Sequence, residues 1–192
     1  NIDKGHERTF RAIASDSSLF TRQAVDEVQS SMLLGALFAA IIVLLFFRDL
    51  LLELADAGAD FVVLGGHAVA FHGHPRATKD LDVLVRATPG NAARVYHALA
   101  AFGAPLRSFS VSEADFAAYD GVLQIGLPPR RIDILTSITG VEFADAWPAR
   151  VAVEYAGVPC HVIGRDALVA NKRALGRTKD LADLELLERH RR

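Results

Sequence analysis

Apolar positions divide the chain into one uncharged run and a longer region of short apolar segments separated by glycine and proline. Met32 to Phe47 carries no charge over 16 residues and would reach about 24 Å as a helix at 1.5 Å per residue. Val28 to Ser31 extend it toward the roughly 20 residues that a bilayer span requires. The run is apolar on every side, so the pattern predicts a membrane-inserted helix over about 28–47 rather than an amphipathic one. It lies too far from the start, with the wrong flanks, for a cleaved signal peptide. Ahead of it residues 1–31 are polar and mixed, with Asp16-Ser17-Ser18 as an N-cap for a helix through Phe20, Val25 and Val28. Behind it Arg48 to Ala57 keeps helical spacing, and Gly58 closes the element.

From residue 61 the period changes. Phe61 to Leu64 is a short β-branched run ending at Gly65-Gly66, followed by a helix-compatible stretch from His67 and a turn at Gly73-His74-Pro75. Asp80 to Val85 alternates and then runs apolar, as a strand entering a core does. Pro89 opens a helix to Phe102 that Gly103 stops. Ser112 opens a short helix in an ambiguous stretch, and Val122–Gly126 and Arg131–Leu135 form a hairpin around Pro128-Pro129. Val151–Tyr155 and Val158–Ile163 form another, turned at Ala156-Gly157. Helices over 166–175 and 178–190, around Gly176, complete the chain. Strands mixed with helices and hairpins late in the chain predict an α/β fold with a mixed sheet.

Composition narrows the classes. A formal net charge of −2 over 192 residues excludes a generally basic nucleic-acid coat. The single cysteine, Cys160, excludes an internal disulfide framework and a cysteine-based zinc site. His67, His72 and His74 lie around the glycine turns and are read as turn residues rather than zinc ligands. The first residue is Asn rather than Met, which is read as a fragment or a processed product.

The chemistry lies in the acids. Period 2 puts Asp80 and Asp82 on one side of their strand, where two carboxylates repel unless a cation lies between them. Asp133, between Ile132 and Ile134, is an acid in a buried strand and needs a partner. Paired glycines, a paired acid and a lone acid point to metal-dependent phosphoryl transfer.

In this arrangement the chain resembles the polymerase-β type nucleotidyltransferase superfamily. That pattern is an apolar strand, Gly-Gly, about ten to thirteen residues, Asp-apolar-Asp, and a later strand with a third acid. Here thirteen residues, His67 to Lys79, separate Gly66 from Asp80. The segments Asp60–Val69 and Pro75–Asp80 are similar to small bacterial nucleotidyltransferases related to abortive-infection toxins. Lys172, Arg177 and Lys179-Asp180 echo that group's later motif. Residues 18–30, the apolar run and Phe47–Leu50 separately resemble resistance-nodulation-division efflux transporters, where a periplasmic domain leads into the second transmembrane helix. The resemblances imply a transporter-like segment over 1–48 and a nucleotidyltransferase-like domain over 49–192, preceded by the long hydrophobic helix.

The resemblance implies transfer of a nucleoside monophosphate from a nucleoside triphosphate to an acceptor hydroxyl of a tRNA, a protein or a small molecule, in a toxin–antitoxin setting. Asp80, Asp82 and Asp133 would be the catalytic metal ligands, for Mg2+ or Mn2+, with ATP among the nucleotides. Gly65, Gly66, His67, Arg76, Lys79 and Lys172 would bind the triphosphate. The domain would lie in the cytoplasm at the inner membrane, or be cytoplasmic outright if the first segment is a fusion artefact. Two alternatives stand beside this reading. One is a transporter fragment with no transport activity of its own, and the other is a catalytically silent nucleotide-binding module.

Overall fold

A computed structural model describes residues 3–76, 78–118 and 120–189, with the backbone alone for 3–19. The chain divides into two compact units, Asn1–Ile42 and Val43–Arg192. Helix α1 (Asp3–Asp56) is continuous, and its backbone passes without a break through Asp16–Ser18, where a helix start was expected. The side chains of that expected cap lie outside the described ones. In the first unit Phe20, Met32, Leu33, Leu37, Phe38 and Ile42 are all exposed. Phe20–Asp56 is long and apolar enough to cross a membrane, by length and composition.

The second unit carries an α/β fold built on a six-stranded mixed sheet in the order β3-β4-β2-β1-β6-β5. Its strands are β1 (Phe61–Leu64), β2 (Asp80–Val85), β3 (Val122–Ile125), β4 (Arg131–Leu135), β5 (Val151–Tyr155) and β6 (Val158–Val162). The three hairpin-type pairs, β1 with β2, β3 with β4 and β5 with β6, are antiparallel. Two parallel pairings, β2 with β4 and β1 with β6, join them into one sheet. The helices are α2 (Gly65–Phe71), α3 (Pro89–Ala101), α4 (Glu113–Ala117), α5 (Phe143–Ala146), α6 (Arg165–Leu175) and α7 (Thr178–Arg189).

The end of α1 belongs to this unit's core. Phe47, Leu50, Leu51 and Leu54 are fully buried, each contributing on the order of 1.5–3 kcal/mol of transfer free energy. The helix stops at Gly58, whose φ is 63°. Gly58 N–H donates to Ala55 O and Ala59 N–H to Leu54 O, the paired bonds of a Schellman cap. Gly73 and Gly103 end α2 and α3 with the same pair of bonds. Helix α4 carries a capping box, since Asp115 accepts from the Ser112 backbone and hydroxyl. Helix α5 was not anticipated. At four residues it is too short to show a helical period.

Buried Asn91 at the start of α3 clamps the far end of the central pair. It accepts from Asp60 N–H and donates to Asp60 O and Arg86 O. That clamp, together with the Arg86–Asp60 ion pair at 2.8 Å, sets where β1 begins and β2 ends. At the opposite end of the pair, β1 runs into Gly65-Gly66 and β2 carries Asp80 and Asp82.

Candidate active site

Strand β2 alternates as its sequence predicts, with Leu81 and Val83 fully buried and Asp80 and Asp82 partly exposed on the other face. Its register on β1 places Asp82 opposite Leu64, the last residue before the glycines. The chain turns at once into α2, which starts at Gly65 rather than at His67. Gly65 has φ of 65°, in the left-handed region that glycine enters without steric cost. Gly66 is packed against the loop before β2: a β-carbon there would lie 2.7 Å from Thr78 Oγ1 and 3.3 Å from Arg76 Nη1. Both glycines are therefore required by close approach within the protein, independently of any phosphate.

Strand β4 lies parallel to β2, with Asp133 beside Asp82 and Arg131 beside Asp80. Asp80, Asp82 and Asp133 each present an oxygen within 4.8 Å of the other two. Such a cluster is electrostatically costly. Burial first, and then Asp80 and Asp133, push the Asp82 carboxyl up to about 6, against smaller opposing effects of Lys172 and Lys179. Burial also raises Asp133, with Asp80 adding to the effect and Arg131 opposing it. Asp133 Oδ1 is buried without a hydrogen-bond partner. Gln124, opposite on β3, lowers the Asp133 pKa slightly but makes no well-formed bond to that oxygen. Thr78 Oγ1 donates to Asp80 Oδ1 at 3.1 Å.

A second charged layer closes the site. Lys172 on α6 is buried, and its Nζ donates to Asp180 Oδ1 at 2.7 Å and lies 2.9 Å from Asp183 Oδ2. Arg76 grips Asp183 with two nearly parallel bonds, Nε at 2.7 Å and Nη2 at 2.9 Å. Arg177 donates to Asp180. Burial alone would raise both acids. The bonds from Arg177 and Lys172 to Asp180, and from Arg76 and Lys172 to Asp183, bring them below the ordinary carboxylate range instead. This network ties the loop before β2 to α6 and α7.

The acids and the cations open on one cavity of about 780 Å³. Gly65, Gly66, Arg76, Asp80, Asp82, Asp133, Lys172 and Lys179 line it, together with Arg131, Arg177, Asp120, Glu142 and Asp145. Lys79 was expected at the site, and it lines the same cavity. His67 does not. Its ring packs edge-on against Phe47 and Tyr155, at centroid distances of 5.5 and 5.7 Å, and Nε2 is buried without a partner. The His67 side chain therefore packs into the protein rather than facing the cavity. Desolvation lowers its pKa, with Arg76 adding to the effect and Asp80 opposing it, which favours the neutral ring.

Two residues and one pairing were not anticipated from the sequence. Arg131 lies two residues before Asp133 and shares its face by strand period, a signal that was available. Thr78 is adjacent to the Asp80 segment but carries no pattern of its own. Asp183 as the partner of Arg76, 107 residues away, left no trace in the sequence.

No family model matches the chain, and no curated protein matches it. Among solved structures, a candidate nucleotidyltransferase of Thermotoga maritima is similar at 17% identity and TM-score 0.46, over 76% of this chain and 91% of that one. An antigenic nucleotidyltransferase-like protein of Paracoccidioides brasiliensis is similar at 16% identity and TM-score 0.39, over 77% and 73%.

Proposed function

We propose that residues 43–192 form a metal-dependent nucleotidyltransferase that moves a nucleoside monophosphate from a nucleoside triphosphate to an acceptor hydroxyl. The observation that carries this is the convergence of Asp80, Asp82 and Asp133 from two register-matched parallel strands at the wall of a cavity that also holds Lys79 and Lys172. The donor set fits a hard divalent cation. It is all carboxylate oxygen, Asp133 Oδ1 is buried and unpartnered, and Asp82 makes no ion pair among the described residues. Asp80, Asp82 and Asp133 would hold Mg2+ or Mn2+, which when bound supplies positive charge beside the reacting phosphate.

In the transfer itself the acceptor oxygen attacks the α-phosphorus, the bond to the bridging oxygen breaks, and pyrophosphate leaves. Asp133 would orient the acceptor hydroxyl and take up its proton. Lys79 and Arg177 face the cavity beside the acids and would meet phosphate oxygens. Lys172 acts one step removed: its charge is committed to Asp180 and Asp183, so it holds the wall that carries Lys79 and Arg177. We read the apolar helix as a tether that places this chemistry at a membrane surface. A toxin–antitoxin role is carried only by the sequence resemblance.

The test incubates the full chain, in detergent micelles, with each α-labelled nucleoside triphosphate, Mg2+ or Mn2+, and either total tRNA or cell lysate. The control is Asp80→Ala/Asp82→Ala. Label transferred by the parent and not by the variant supports the assignment and shows which acceptor fraction to pursue. Nucleotide binding without transfer, in every combination, would favour the silent binding module.

A further inference from the structure

Arg131 and Asp133 share one face of β4, and Arg131 lies beside Asp80 in the register with β2. Its Nη2 reaches Oδ2 of both Asp80 and Asp133, the latter at 3.0 Å. One nitrogen thus bridges two of the three carboxylates. The pairing differs in kind from that of Arg76, which offers Asp183 the full two-bond fork. Arg131 spends its charge through one corner, and its Nε is buried without an acceptor. Asp82 and Asp133 Oδ1 meanwhile have no cation or donor at bonding distance among the described residues. The guanidinium therefore offsets the repulsion of the acids in part, while its own hydrogen bonding remains incomplete.

We propose that Arg131 is a tethered cation that competes with a divalent metal ion for Asp80 and Asp133. It is a positioning residue: in the metal-free protein it draws the two acids together, and it must release them before an ion gains all three carboxylates. The inference rests on reading the acids as a metal site.

The test measures Mn2+ binding to the full chain in detergent micelles, by electron paramagnetic resonance of the free ion, for wild type, Arg131→Gln and Arg131→Lys. Removing a unit charge a few ångströms from the ion tightens binding at least about tenfold, so Arg131→Gln binds more tightly than wild type while Arg131→Lys stays near it. Equal or weaker binding by Arg131→Gln, or equal tightening by Arg131→Lys, overturns the proposal. Wild-type binding in that same experiment leaves the metal-site reading standing. Absence of binding by all three folded proteins overturns both. Should Arg131→Gln fail to fold, the wild-type protein decides. The Arg131 guanidinium 15N resonance shifts on Mg2+ saturation if the ion displaces it, and an unchanged resonance at saturation overturns the proposal.

Discussion

Gly65 and Asp82 compete for one volume: a β-carbon on Gly65 would lie 1.8 Å from Asp82 Oδ2 and 2.7 Å from its Cγ. The strand-to-helix turn at Gly65 thus decides where the central carboxylate of the acid cluster can stand. Gly65→Ala should displace that carboxylate and also strain a backbone at positive φ, costing about 1–3 kcal/mol. Chemical denaturation and Mn2+ titration would both register it. A variant with wild-type stability and wild-type Mn2+ affinity would show that the turn and the acid are not coupled.

Asp82 gives a pH dependence with a defined sign. Its native pKa, about 6, lies above the ordinary value of 3.8, so the native state holds the proton in that window and stability falls as pH rises through it. Asp82→Asn removes the penalty without changing the shape. In chelator at pH 7.5 the variant should be more stable than wild type, by at most about 3 kcal/mol. The gap should narrow toward pH 4, and saturating Mg2+ should reverse the order by stabilising the wild type alone. Melting curves at several pH values would test it, and a gap independent of pH would contradict it.

Lys172 and Arg177 should separate sharply in stability, although both pair with Asp180. The Lys172 side chain is 4% exposed and that of Arg177 55%. Lys172→Met leaves Asp180 and Asp183 short of a buried counter-charge, which costs about 3–5 kcal/mol. Arg177→Ala removes an exposed partner and leaves the buried Asp180 still paired with Lys172, so it should cost clearly less than Lys172→Met. Urea unfolding of both variants gives the comparison directly.

Loss of the His67 ring nitrogens should be tolerated. His67→Phe keeps the edge-on contacts with Phe47 and Tyr155 and removes a buried unpartnered Nε2. Stability should be unchanged or rise by about 1 kcal/mol, and nucleotide affinity should stay within about threefold of wild type. A larger loss of affinity would return His67 to the nucleotide site.

The membrane reading makes its own prediction. The full chain should sediment with membranes and resist alkaline extraction, because Met32 to Ile42 carries no charge and its large apolar side chains are exposed. Arg substitutions at Leu37 and Ile41 should move it toward the soluble fraction. Recovery of the unsubstituted chain entirely in the soluble fraction would remove the tether.

Local pattern alone determined much of this protein. Period 2 put Asp80 and Asp82 on one face of β2, Gly58, Gly103 and Gly176 marked helix ends, and Ala156-Gly157 turned the last hairpin. These features depend on residues a few positions apart, and their signals survive in the sequence. The uncharged run likewise announced a helix apolar on all sides. Tertiary structure alone decided which strands lie side by side, and hence that Asp133 stands beside Asp82 rather than beside Asp80. It also decided that His67 turns into aromatic packing, that Arg76 reaches Asp183, and that Arg131 bridges two acids. Each of these depends on the register and separation of segments far apart in the chain. The sequence carries no periodic signal for such distances, because long-range partners are chosen by packing and charge only once the sheet has closed.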